Sequence, residues 1–157
     1  MRWLWVSLGV LVLDQYSKVL VESALVLHDS IELIPSLALR KVYNSGAAFS
    51  FLSDASGWQR WFFIALAAVV VVVLTVWLYR LPRNQTRLAL ALSLVLGGAA
   101  GNLVDRVFYG HVIDFIDVYY GSWHWPTFNV ADSAISIGAV LLLLDAFSGH
   151  KQARPAE

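Results

Sequence analysis

Eleven acidic residues are spread along the 157-residue chain, and Asp14, Asp105, Asp114 and Asp132 stand among apolar neighbours. Charged groups are costly in such surroundings, so they face a protein interior, pair with one another, or do chemistry. Polar groups accompany them: Gln15 and Lys18 follow Asp14, Asn44 and Gly46 share one connection, Asn102 and Arg106 bracket Asp105, and Asn129 precedes Asp132. The chain has no cysteine, which excludes thiolate metal sites, disulfide scaffolds and a cysteine nucleophile. Among His28, His111, His124 and His150 no two have the HExxH spacing of a zinc protease, so no metal site is expected. No G-x-S-x-G elbow marks a serine hydrolase. Two carboxylates remain. Asp114 and Asp132 are eighteen residues apart with Pro126 between them, so only a returning connection could bring them face to face. Sharing one proton, such a pair offers a base to activate water and an acid for the leaving group.

On residue chemistry alone, the same pair serves equally well as a proton or ion relay, because transporter carboxylates obey the same rules. The other polar residues have plainer readings. Asp105 beside Arg106 reads as a local ion pair or a helix-end group, and Asp117 as a solvated group one turn beyond Asp114 if that segment is helical. Asp145 lies at the far end of its span and reads as structural. Asn102 and Arg106 are i, i+4 partners that could steady an aspartate pair. Asn44 is as readily a turn residue as a site contact, and Lys18, one turn from Asp14, could make that aspartate structural.

The elements that must position these groups are membrane spans. Of the residues, 59% are hydrophobic and only 14% charged, against about a quarter charged in soluble domains. Equal numbers of acidic and basic residues, 11 and 11, leave no basic footprint for nucleic acid. Trp61 to Leu78 is uncharged throughout and, at ~1.5 Å rise per residue, crosses a hydrocarbon core of about 30 Å. A second run, Leu88 to Val104, carries Gly97, Gly98 and Gly101, which suit a helix at the centre of a bundle. The first run starts at Trp3 and continues with Asp14, Lys18 and Glu22 on one stripe; the last, Phe128 to Phe147, contains Asp132 and Asp145. Four spans are expected, near residues 3–24, 58–79, 87–106 and 128–147, within a single membrane-embedded domain of residues 1–157. A cleavable signal peptide is the rival reading of the N-terminus, but no small-x-small site follows promptly.

Basic residues orient the chain. Arg2, the group Arg80, Arg83 and Arg87, and the pair Lys151 and Arg154 flank one set of span ends, so both termini are expected inside. The connections Leu25 to Gly57 and Val107 to Thr127 then lie outside, and the polar clusters converge at that face. Ile31 to Leu52 reads as short strands. Tyr119, Tyr120, Trp123 and Trp125 suit either anchoring at the headgroup level or contact with a substrate.

The order of motifs resembles that of the bacterial lipoprotein signal peptidases, the signal peptidase II enzymes. The resembling stretches are DQYSK at Asp14 to Lys18, NSGAAFSF at Asn44 to Phe51, GGAAGNLVDR at Gly97 to Arg106, VIDF at Val112 to Phe115 and FNVAD at Phe128 to Asp132. The resemblance implies an all-α integral membrane protein of four transmembrane helices, with a small extracytoplasmic strand-rich cradle and an amphipathic outer helix. It implies an aspartic endopeptidase of the bacterial cytoplasmic (inner) membrane with its active site on the extracytoplasmic face. Its partners would be membrane lipid and diacylglyceryl-modified prolipoproteins, cut just before the lipid-bearing cysteine. Asp114 and Asp132 align with the catalytic dyad, and Asn44, Gly46, Asn102, Arg106 and Asn129 with polar site residues. Asp14 aligns with the first motif, and no cofactor is required. The alternative from another class is a small proton-coupled transporter or relay, against which span two offers only Thr75, and span three between Arg87 and Asn102 only Ser93, as polar side chains. A noncatalytic scaffold would not need two carboxylates at one depth.

Overall fold

The computed structural model describes residues 2–46 and 58–149. In chain order its elements are α1 (Leu4–Ala24), β1 (Ser30–Ile34), β2 (Leu37–Asn44), α2 (Trp58–Arg80), α3 (Thr86–Phe108), β3 (Val112–Tyr120), β4 (Trp123–His124) and α4 (Val130–Gly149). All four helices are long and apolar enough to cross a membrane. They match the expected spans, with α3 running further at its C-terminal end. Helix α3 is the centre: it packs on α1, α2 and α4 and buries a stripe from Ala89 to Asp105. Small residues make this possible. A Cβ at Gly97 would come 2.6 Å from the Ser7 carbonyl of α1, and one at Gly98 would strike the Ala131 carbonyl of α4, so side chains there would push the helices apart. Helix α2 behaves differently, burying only Gln59, Leu74 and Leu78. Its Leu74 and Leu78 pack with Val70 and Val71 against Ala89, Leu92 and Leu96 of α3, while Val69, Val72, Val73 and Val76 face outward as a lipid-facing surface would. Helix α1 contacts both α3 and α4, so the N-terminal apolar run is a member of the bundle.

At the end of the bundle where α1 finishes, the connections form an antiparallel sheet in the order β1-β2-β3-β4. Helices and sheet together replace the all-α expectation, because VIDFIDVYY is rich in β-branched and aromatic residues and pairs along LALRKVYN. Residues 47–57 lie outside the described residues, including part of NSGAAFSF and the place an outer helix would occupy in the first connection. The second connection contains no helix among its described residues. Val21, Leu25 and Phe115 form a small core with Leu39, Ile116 and Val130, seating the sheet on the helices. Lys41 adds a polar tie, donating 2.9 Å to the Leu25 carbonyl and pairing with Glu22 at 3.2 Å.

Two expectations need correction here. Asp117 is neither helical nor solvated: it lies on β3, is 2% exposed, and its Oδ1 is 2.9 Å from Nδ1 of His124. A strand turns every second residue to the same face, and the β4 return covers this one. Asp105 does not pair with its neighbour Arg106; a lysine from α1 reaches it across the bundle. The aromatic cluster spans the β3–β4 hairpin, where Tyr120, Trp123 and Trp125 are exposed.

Candidate active site

One crossing brings the two aspartates together. Phe128, just before α4, accepts at its carbonyl from the backbone N–H groups of Phe115 (3.0 Å) and Ile116 (2.7 Å), and donates to the Ile116 carbonyl at 3.1 Å. The start of α4 is thereby stitched to β3 beside Asp114. Asn129 follows as the cap of α4. Its Oδ1 accepts the Asp132 N–H at 2.8 Å, while Asp132 Oδ2 lies 3.3 Å from the Asn129 N–H. This reciprocal arrangement is a capping box, and it sets the Asp132 carboxylate at the positive end of the helix. The free amide hydrogens of Asn129 reach the other aspartate, with Nδ2 2.7 Å from Asp114 Oδ1. One asparagine therefore links both carboxyl groups, through its side-chain amide to Asp114 and its backbone N–H to Asp132.

Asp114 is 3% exposed, and its Oδ2 accepts from Asn44 Nδ2 at 3.0 Å. The Asn44 Oδ1 accepts the Gly46 N–H at 3.1 Å, so Asn44 is both a turn residue and a site contact: the turn aims its amide at Asp114. Asp132 is half-buried, and its Oδ1 accepts from Asn102 Nδ2 at 2.8 Å. Burial pushes the Asp114 carboxyl up to about 7, and the nearby Asp132 charge adds to that push, while hydrogen bonds from Asn44 and Asn129 oppose it. A buried carboxyl beside a second carboxylate keeps its proton to higher pH.

Behind the pair lies a second layer. Asn102 Oδ1 accepts from Asn129 Nδ2 at 3.2 Å and from Lys18 Nζ at 3.1 Å. The same ammonium lies 2.7 Å from Asp14 and 2.7 Å from Asp105, so its three hydrogens have three acceptors. Asp14 Oδ1 accepts the Ala131 N–H at 2.9 Å, which satisfies another donor in the first turn of α4. Asp105 accepts from Gln15 at 2.8 Å and from the Ile113 N–H at 3.3 Å. A Cβ at position 101 would come 2.5 Å from Asp14 Oδ2, so Gly101 is the gap that admits this carboxylate. Asp14, Lys18 and Asp105 are each at most 1% exposed.

The eight candidate residues from the sequence thus gather at one end of the bundle, by different routes. Arg106 touches neither aspartate. Its guanidinium donates to the Asn102 carbonyl at 3.3 Å and reaches the Gly46 carbonyl at 3.5 Å, with Phe63 5.4 Å away. Its buried Nε has no partner among the described residues. Lys18 and Asp105 were not expected in the site, although the Asp14–Lys18 spacing and the apolar setting of Asp105 signalled buried partners. Among the described residues, no cluster of three or more histidines and carboxylates could hold a metal.

The family model for signal peptidase (SPase) II matches residues 6–148. The chain belongs to the signal peptidase II family. A lipoprotein signal peptidase of Pseudomonas putida is 55% identical over 157 residues, spanning 99% of this chain and 92% of its own. The lipoprotein signal peptidase of Pseudomonas aeruginosa is 53% identical over 156 residues, spanning 98% and 92%. A bacterial membrane enzyme solved by the in meso method at 2.3 Å resolution superposes with a TM-score of 0.88 at 29% identity, covering 99% of this chain and 93% of its own. Membership in signal peptidase II bears out the resemblance read from the motifs and makes this a peptidase. The four spans and the likeness to a membrane enzyme make it a bacterial multi-pass membrane protein.

Proposed function

We propose that this signal peptidase II removes signal peptides from diacylglyceryl-modified prolipoproteins, cutting just before the lipid-modified cysteine, with Asp114 and Asp132 as the catalytic pair. The observation that carries this reading is Asn129, whose side-chain amide donates to the strand-borne Asp114 carboxyl and whose backbone N–H donates to the helix-borne Asp132 carboxyl. Asp132, at the positive end of α4, acts as the base. It takes a proton from water while the water oxygen attacks the scissile carbonyl. Asp114 holds the other proton, donates a hydrogen bond to the forming oxyanion, and delivers that proton to the amine as the C–N bond breaks. Asn44, Gly46, Asn102, Arg106, Asn129 and Asp14 support the pair. No cofactor takes part. Against the transporter alternative, Ser7 and Ser93 are the only buried polar side chains in the described residues of the bundle beyond the Asp14 level.

The substrate assignment is tested with the full chain in detergent, incubated with a lipid-modified prolipoprotein and with its unmodified precursor. Cleavage of the modified form alone is expected; equal cleavage of both, or of neither, overturns the assignment.

The rate should fall as pH rises through about 7, where Asp114 loses its proton. The sign for stability is the same. The folded chain holds the Asp114 proton to about 7 and an unfolded one only to about 3.9, so stability from this group is full at low pH and is lost as pH rises between those values. Initial rates and melting temperatures across that range check both. A flat rate through pH 7 contradicts the assignment of the proton to Asp114.

The orientation we propose places both termini inside, the sheet and the aspartates on the extracytoplasmic face of the inner membrane, and residues 1–157 in one domain. Reporter fusions after Arg83 and after Ser122 should read inside and outside respectively. An outside signal at Arg83 would reverse the arrangement.

A further inference from the structure

The end of the bundle away from the aspartates has a cleft of about 560 Å³ between the start of α1 and the turn joining α2 to α3. Its floor is apolar and belongs to the helix core: Leu78 and Ala89 line it and are 9% and 2% exposed. Its lining includes two guanidinium groups, from Arg2 and Arg83, and no acidic side chain. The Arg2 guanidinium sits 5.3 Å from the centre of the Trp3 ring. Neither arginine makes an ion pair among the described residues. Arg80 and Arg87 stand nearby in sequence but outside the lining, and Asp145 on α4 is not part of the lining either.

We infer that this cleft is a binding site for one anionic phospholipid of the leaflet at that end. Two features together select this class. The ends of membrane-spanning helices lie where acyl chains give way to headgroups, so an apolar floor there can receive the upper part of a chain. Guanidinium groups offer paired N–H donors matched to phosphate oxygens and are more weakly hydrated than an ammonium. A zwitterionic lipid would bring its own cation toward the two arginines, whereas a lipid of net negative charge would not. The volume falls in the range of about 300–1,000 Å³ found for small-molecule sites. An occupant would join the N-terminus of α1 to the α2–α3 turn, two segments otherwise held together at this end by apolar contacts such as Trp3 with the Leu78 core. The inference does not depend on the catalytic reading, since no residue of the cleft belongs to the aspartate site.

The test uses the full chain, delipidated in a neutral detergent and titrated with phosphatidylglycerol, phosphatidylcholine or inorganic phosphate. Bound lipid is counted by native mass spectrometry and stability is followed by melting temperature. Arg2→Gln/Arg83→Gln removes the two guanidiniums of the cleft. Arg80→Gln/Arg87→Gln removes the same charge outside it. The wild type should bind one phosphatidylglycerol with a preference over phosphatidylcholine on the order of tenfold, as two basic groups near a lipid surface imply, and its melting temperature should rise as the site fills. The cleft variant should lose that preference and the rise, while the control variant keeps both. Cleavage of substrate in detergent should be unchanged in both variants. Equal loss in the two variants would mean only diffuse attraction to the arginine-rich end and would overturn the site. So would the absence of a preference in the wild type, or a shift with inorganic phosphate matching that with lipid. If the cleft variant melts lower without lipid, Arg2→Lys/Arg83→Lys serves instead and should keep part of the preference.

Discussion

Asp114→Asn and Asp132→Asn should each stop signal-peptide cleavage while leaving the protein folded in the membrane. An amide can neither accept the proton of water nor hand one to a leaving amine, and losing a positioned acid or base costs about 10²- to 10⁴-fold. The two variants should differ in stability. Asp114 is a buried carboxyl pushed up by burial and by its neighbour's charge, and both its oxygens accept from side-chain amides; a neutral amide removes the repulsion but turns an NH2 group toward one of those donors, so the two effects oppose and the melting temperature should stay close to that of the wild type. Asp132→Asn keeps an oxygen for the Asn129 N–H but loses the charge at the helix start, so its melting temperature should fall slightly. Asp145→Asn, at the other end of α4, should behave as wild type in both measurements. Wild-type turnover in either dyad variant would end the aspartate mechanism.

The second large effect is expected at Lys18. Its ammonium lies between Asp14 and Asp105 at 2.7 Å from each, and both carboxylates are 0% exposed. Lys18→Met leaves two buried negative charges without a cation, and breaking a buried pair from one side costs about 3–5 kcal/mol. Asn102 also loses a donor to its oxygen, freeing the amide that holds Asp132 to turn over. The melting temperature in detergent should drop sharply, and cleavage by the protein that remains folded should weaken. The triple variant Asp14→Asn/Lys18→Met/Asp105→Asn should recover most of the stability, because it removes the charges together with their partner. A Lys18→Met protein as stable as wild type would show that the ammonium is not what balances these carboxylates.

The sequence made the spans legible because hydropathy in a bilayer is a strong, local signal, and glycines marked α3 as the central helix before any contact was known. Elimination singled out Asp114 and Asp132 but left a relay as open as hydrolysis, and it was the order of the motifs that favoured a catalytic pair. What sequence could not give were the partners. Asp105 was assigned to its neighbour Arg106, but a helix separates adjacent side chains by about 100°, and the partner came from α1. Asp117 was taken as solvated on the premise of a helix, whereas a short apolar run of this kind is read equally well as a strand. Lys18 was recognised as a neighbour of Asp14, yet its reach to Asn102 depends on how α1 crosses α3, which spacing within one helix does not encode.

The stitch between Phe128 and β3 also bears on how the molecule comes into being. Asp132 belongs to the last span of the chain, whereas Asp114 is on β3 and other groups that hold the pair in place come from α1, β2 and α3. A ribosome delivers those segments earlier. Until α4 has entered the bundle, Asp114 lacks the Asn129 amide, Asp14 lacks the Ala131 N–H, and the second carboxyl is not there at all. On the catalytic pair proposed above, the nascent protein is inert toward peptide bonds throughout its insertion, and hydrolytic competence arrives in one step, with the final helix.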